Sequence, residues 1–403
     1  MVTPNQPSAS YQESLNPQSI AELEHAVECF SALWAKVPTH GVVSPGRVNL
    51  IGEHVDYSGG WVLPCAIERR ISMVGVRRTD TTIRLASTYS EAPVTLSISE
   101  LSGPPVAGWA RYVQGVLAIL QDRGYAVCGF DAFVESTIPI GGGLSSSAAL
   151  EAAAGLLMLA FMGQSMASMD LARICQQAEH EYAGVPCGIM DQAAVLSGRE
   201  DQLILLDCET ETVSHSTFDL PDWALMIINT GVAHELASGE YGMRRAGCDQ
   251  AAKILGVSSL GHITLTQLDS ALKTEGLDES MCRYLRHVVT ENDRTLRAAK
   301  ALAEGDVEGA GTLFYASHAS LQFDFRVSCP ELDFIVEEST KLKGVAGCRM
   351  TGGGFGGSAI ALVRRDSVDS VGATLRKCYA KQFGFEPSIF LTKPAQGAEV
   401  FRL

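Results

Sequence analysis

At 403 residues and 43.0 kDa the chain is long enough for two or three domains, two being the simplest estimate. Hydrophobic residues make up 46%, which excludes bulk disorder, and 31 Lys+Arg against 46 Asp+Glu leave a net charge of −15. Long-range attraction to nucleic acid or an anionic membrane is therefore not expected, and any phosphate must be held by local devices.

Residues 1–19 are polar and lack the basic start and apolar core of a secretory signal. Ile20, Leu23, Val27, Phe30 and Trp34 recur at helical spacing and predict a first helix. From Gly41 to about Ser87 the pattern is β-like, in the segments VVSPGRVNLIG, WVLPCAI, ISMVGVRR and TIRLAS. Trp109, Tyr112, Val113, Val116, Leu117 and Leu120 mark an amphipathic helix, and GFDAFVEST a strand leading to Pro139 and the loop from Ile140. An apolar helix then runs to about Met162; its run from Ala152 to Met162 is too short to span a bilayer. MDLARICQQAEHEYAG reads as a further helix, QLILLDC, TVSHSTF and WALMIINTGV as strands, and the region of Tyr284 to Leu296 as a longer helix. A strand, helix and strand follow the glycine run at 352–357. Without regular βα alternation the fold class is α+β. The division expected is a polar segment 1–19, an N-terminal domain 20–200 and a C-terminal domain 201–403. The 11 cysteines are odd in number and none has CxxC spacing, which suits reduced, packed thiols. The chain is expected to be soluble and cytoplasmic.

Three glycine-bearing motifs and one acidic segment carry the chemistry. Gly141-Gly142-Gly143-Leu144-Ser145-Ser146-Ser147 follows a strand and opens a helix. Glycines let backbone N–H groups approach an anion, the helix start adds donors, and serine hydroxyls serve phosphate or metal. No Lys-Ser/Thr follows, so this is not a Walker A loop. A Gly/Ser turn capping a buried helix is the alternative. Gly46 to Gly60 crowds Arg47, Glu53, His54 and Asp56 at a strand end, an arrangement suited to sugar hydroxyls or, alternatively, a solvated polar hairpin. No histidine stands two or four residues from His54, so zinc is not indicated. Gly352, Gly354 and Gly357 satisfy G-x-G-x-x-G but lead into a strand, the wrong context for dinucleotide binding. Such a run can instead let backbone pass close to a ligand or to the first glycine loop. Glu179 to Gln192 places two carboxylates, Glu179 and Asp191, around a Gly/Pro turn, as metal ligand and base or as surface capping charges.

Taken in order, GRVNLIGEHVDYSGG, GGGLSSSAAL, AEHEYAGVPCGIMDQ and RMTGGGFGGSAIALV resemble the signature segments of the galactokinase branch of the GHMP small-molecule kinases. The resemblance runs from about Phe30 to the C-terminus. It implies a two-domain α+β fold with the active site between the domains, and transfer of the ATP γ-phosphoryl to the anomeric hydroxyl of α-D-galactose. It implies Asp191 as catalytic base, with Arg47 stabilising charge near the transferring phosphoryl. Ser147 and Glu179 match the Mg²⁺ ligands, and residues 141–147 the ATP phosphate loop. Glu53, His54, Asp56, Gly188 and Tyr241 match the sugar contacts, while Trp109 and Tyr112 resemble residues near the adenine. No obligate protein partner is implied. Val55, Ser58 and Ser358 stand where the family commonly has Thr, Asn and Cys. A kinase for N-acetylgalactosamine or L-arabinose, or a non-catalytic galactose sensor, are the competing expectations. The sensors shorten the Ser/Ala stretch that is intact here at residues 145–149.

Overall fold

The computed structural model describes residues 17–90, 92–139, 141–233 and 237–403. Most of the polar segment 1–19, and Ile140 of the glycine loop, lie outside the described residues. In chain order the first half comprises α1 (Pro17–Trp34), β1 (His40–Asn49), β2 (Trp61–Val62), β3 (Pro64–Arg77), β4 (Thr82–Ser87), β5 (Val94–Ser97), α2 (Ala110–Asp122) and β6 (Phe130–Ser136). Then come α3 (Ser146–Met162), α4 (Ser168–Ala178), a π-turn over Glu179–Ala183, and α5 (Met190–Ser197). The second half holds β7 (Gln202–Asp207), β8 (Thr212–Thr217), β9 (Trp223–Ala233), α6 (Ala237–Leu255), α7 (Leu265–Ala271), α8 (Glu279–Ala303) and α9 (Val307–Ser320). It ends with α10 (Pro330–Ser339), β10 (Val345–Thr351), β11 (Gly356–Arg364), α11 (Val368–Phe383), β12 (Ser388–Thr392) and β13 (Glu399–Arg402).

The strands form three sheets, ordered β13-β1-β3-β6-β4-β5, β10-β11-β9-β12 and β2-β7-β8. Among the described residues all pairings are antiparallel except β4 with β6, so the α+β expectation holds. WVLPCAI and ISMVGVRR, read as two strands, are divided differently. Trp61–Val62 joins the small sheet, while Pro64–Arg77 is one 14-residue strand paired with β1. Glu68 and Arg69, between the two segments, are the exposed stretch of one continuous strand. The last strand pairs with β1, so both ends of the chain contribute to the first sheet, and a cut near residue 200 divides the sequence but not the sheets.

Buried between elements, α3 is apolar on every side, as the run Ala152 to Met162 requires. Small residues let it pack closely: a Cβ on Gly155 would stand 2.7 Å from Leu171 Cδ1. This seats the N-terminus of α3, with its unsatisfied N–H groups, beside the end of β1. All 11 cysteines are free thiols. Among the described residues no helix is long and apolar enough to cross a membrane.

Candidate active site

The site begins with an irregularity in β1. The pairing of β1 with β3 shifts register between Pro45 and Arg47, and such bulges re-aim side chains. Gly46 lies against the glycine loop, where a Cβ would be 2.7 Å from the Leu144 carbonyl oxygen. Arg47 N–H donates to that oxygen at 3.1 Å, and its guanidinium turns toward α5. Nε and Nη2 donate to the two carboxylate oxygens of Asp191, each at 2.8 Å, while Nη1 donates to the Gly143 carbonyl at 2.7 Å. Ser145, in the left-handed region with φ 57°, donates its hydroxyl to Asp191 Oδ2 at 2.5 Å. A carboxylate has about four lone-pair sites. Three are taken here, which leaves one lone-pair site of Asp191 open.

Arg47 and Asp191 line a cavity of about 190 Å³ with Glu53, His54, Asp56, Glu179, Val185, Cys187, Met190, Tyr241, Gly352 and Gly353. Gly188 stands against Asp56: a Cβ there would fall 2.1 Å from Asp56 Oδ2, so any side chain at 188 would displace the Asp56 carboxylate. Burial, then the nearby Asp191 charge, push the Asp56 carboxyl up to about 6. Tyr241 covers the other side, its ring 5.6 Å from Tyr57 and 5.2 Å from His54.

Glu53 and His54 line the cavity and are also held by hydrogen bonds within the protein. His54 is held neutral by burial, which pulls it down to about 3. A carbonyl can only accept, so its contact with Gly353 O at 3.1 Å puts the ring proton on Nε2; Nδ1 then accepts from the Tyr57 hydroxyl at 2.9 Å. Glu53 pairs with the fully buried Arg349 and accepts from Thr351 Oγ1 at 3.2 Å and Gly352 N–H at 3.1 Å. Arg349 also donates to the Leu50 carbonyl at 3.1 Å. Glu291, likewise fully buried, accepts from Gly52 N–H at 3.1 Å, and His287 Nε2 donates to the Glu53 carbonyl at 3.0 Å. The strand-end turn is thus clamped by α8 and β10. Sequence reasoning passed over Arg349, Glu291 and His287; the visible signal was a lone arginine in the apolar stretch VAGCRMT.

The third glycine run forms the β10–β11 connection and packs on the first glycine loop. Cβ atoms on Gly352 and Gly357 would lie 2.9 Å and 3.4 Å from the carbonyl oxygens of Gly143 and Gly142. The expected close passage of backbone is present, and the dinucleotide reading is excluded by the hairpin geometry.

Below the loop, Glu179 opens the π-turn, and its carboxylate accepts from Gln192 Nε2 at 2.7 Å and from the Ser147 hydroxyl. Gln192 Nε2 also reaches the fully buried Glu151 at 3.2 Å. Burial, then the Asp191 charge, push Glu179 up to about 7. Leu144 is buried; Gly141, Gly142 and Ser146 complete the loop. Trp109 and Tyr112, at the start of α2, do not line the cavity. Burial and then the charge of Glu179 raise the Tyr112 phenol.

Known proteins share this fold and these segments. Residues 28–77 match the galactokinase galactose-binding signature, 111–199 the N-terminal domain of GHMP kinases and 298–381 their C-terminal domain. A galactokinase of Streptomyces coelicolor is 41% identical over 374 residues, spanning 92% of this chain and 96% of that one. The chain belongs to the galactokinase family. A galactokinase of Canis lupus familiaris is 40% identical over 392 residues, covering 95% of this chain and 98% of its own length. The crystal structure of Lactococcus lactis galactokinase complexed with galactose superimposes with a TM-score of 0.91 at 33% identity, covering 94% of this chain and 99% of that one. The chain is accordingly a kinase of the GHMP class, which uses ATP.

Proposed function

We propose that the chain transfers the γ-phosphoryl of ATP to the anomeric hydroxyl of α-D-galactose, giving galactose 1-phosphate and ADP, with Asp191 as the base. The observation that carries this is the position of Asp191. Its carboxylate is gripped by Arg47 and Ser145, opens onto the cavity lined by Asp56 and Tyr241, and adjoins the glycine loop.

Phosphoryl transfer asks mainly for positioning and charge neutralisation. The loop 141–147 and the N-terminus of α3 cradle the phosphates with backbone N–H groups and the helix dipole. Arg47 holds the base in one orientation and offsets charge beside the transferring group. Asp191 accepts the hydroxyl proton through its remaining lone pair. Asp56 accepts hydrogen bonds from sugar hydroxyls, Gly188 keeps its carboxylate in place, and Tyr241 closes the face of the ring. Glu53 and His54, held by hydrogen bonds within the protein, set the shape of the turn and the depth of the cavity. Trp109 and Tyr112 stand on the nucleotide side.

The residues below the loop fit a divalent cation. Ser147 and Glu179 offer hard oxygen donors, and Glu179 stands among Glu151 and Asp191 with an excess of negative charge. These two residues would hold Mg²⁺ together with phosphate oxygens. When bound, the ion supplies charge neutralisation at the β- and γ-phosphates.

The test is ADP release in the presence of free galactose, glucose, N-acetylgalactosamine and L-arabinose. Galactose is expected to give the highest kcat/KM. Preferential turnover of another sugar would reassign the substrate, and galactose binding without turnover of any sugar would identify a sensor.

A further inference from the structure

Ser358 stands on β11 immediately after the third glycine run and is wholly buried. Its hydroxyl donates to the Gly142 carbonyl at 2.6 Å, reaching from the C-terminal half of the chain into the glycine loop. A trans peptide is planar, so its C=O and the N–H of the following residue point in opposite directions. Holding the Gly142 carbonyl toward Ser358 therefore turns the Gly143 N–H to the opposite face of the loop.

The next two carbonyls are held too, Gly143 by Arg47 Nη1 at 2.7 Å and Leu144 by Arg47 N–H at 3.1 Å. Three consecutive peptide planes thus have assigned orientations, two from Arg47 and the first from Ser358. The first one needs an outside anchor. Gly141 and Gly143 both sit at φ 70°, flanking Gly142, and glycines impose almost no conformation of their own. The anchor sits on a tight surface, since a Cβ on Gly142 would meet Asn229 Nδ2 at 2.6 Å.

We propose that Ser358 is a positioning residue for the nucleotide: through the Gly142 carbonyl it orients the Gly143 amide and so sets affinity for the phosphates of ATP. The inference rests on the reading of residues 141–147 as the phosphate loop. A hydroxyl suits this role because it is a stronger, shorter-reaching donor than a thiol.

The experiment compares wild type, Ser358→Ala and Ser358→Cys as full chains, titrating ADP with Mg²⁺ and, separately, galactose by calorimetry, with thermal melting alongside. Ser358→Ala leaves a buried carbonyl without its donor, so the ADP Kd and the ATP KM are expected to rise about tenfold. The galactose Kd should stay within about twofold, and Ser358→Cys should recover part of the loss through its weaker S–H donor. Three outcomes would overturn the proposal. They are an ADP Kd in Ser358→Ala within about twofold of wild type, equal losses for ADP and galactose, or a Cys variant no better than Ala. Gly143→Ala separates the two levels of the argument. If it spoils ADP binding while Ser358→Ala does not, Ser358 alone is misassigned. If it leaves ADP binding intact as well, the loop is not the phosphate site.

Discussion

Replacing Asp191 by Asn is the sharpest perturbation of this site, because its consequences reach two neighbours as well as the proton transfer. The carboxylate faces three donors, with Arg47 Nε on Oδ1 and both Arg47 Nη2 and Ser145 Oγ on Oδ2. An amide has one acceptor oxygen, which can serve the two donors on the Oδ2 side. Its NH₂ then falls at the Oδ1 position, opposite Arg47 Nε and where the substrate proton would be received. Loss of a general base costs ~10²–10⁴-fold in rate, or about 3–5 kcal/mol of barrier. The Asp191 charge is also the second cause, after burial, of the rise of Asp56 to about 6 and of Glu179 to about 7. Removing it should let both carboxyls ionise at lower pH. Ionised Asp56 accepts more strongly, and with both oxygens, than the protonated acid, so wild-type galactose affinity should fall as pH drops through about 6, and in Asp191→Asn that acid limb should move lower. The assays are turnover by ADP release and galactose titration across the acid limb. Turnover of the variant within about threefold of wild type would remove Asp191 from the base role. An acid limb that stays in place would refute the proposed coupling to Asp56.

Asp56→Ala should lower kcat/KM for galactose and narrow the margin over glucose, since a site built around a hydroxyl rejects its absence or inversion by up to ~10⁴-fold; an unchanged ratio would place the discrimination elsewhere. Gly188→Ala drives a methyl to within 2.1 Å of Asp56 Oδ2, and displacement of that order should cost ~10²-fold in kcat/KM with the ADP Kd unaltered; full activity would mean that the Gly188 loop yields freely. Glu179→Gln should weaken the response to Mg²⁺ while stabilising the protein free of ligands. The native carboxyl is raised from 4.5 to about 7, so its contribution to stability falls as pH rises through that window. The full penalty, about 3 kcal/mol, applies above it. A melting-temperature gain present above about pH 7 and fading toward pH 5 is expected; a gain independent of pH would contradict the assignment.

Much of the architecture was legible because the signals were local. The apolar run of α3, the short apolar runs of β7 and β9 and the glycine loop opening a helix each depend on residues near one another in sequence. β5 was not anticipated, being four residues at a sheet edge with a single buried side chain. β13 was missed because its partner, β1, lies more than three hundred residues earlier. The helix expected over MDLARICQQAEHEYAG ends instead in a π-turn at Glu179, and nothing in residue spacing distinguishes that extra residue per turn.

For the site, the sequence by itself determined which chemical groups are available and in which short turns they sit. Arg47, Glu53, His54 and Asp56 share one strand end, and glycines stand where backbone must come close. Which of these groups remain free for a ligand was decided only by the tertiary structure. Glu53, His54 and Asp56 look alike in the sequence, and all three line the cavity. Yet Arg349, Thr351, Gly352 and Gly353, some three hundred residues away, hold the Glu53 carboxylate and the His54 ring proton, whereas among the described residues no such distant anchor holds Asp56. The same holds for Asp191, whose grip by Arg47 spans 144 residues of chain. Hydrogen-bond capacity is finite, and a buried polar group must be satisfied. Where the competing partners come from distant strands, the outcome is a property of the folded packing and not of the motif.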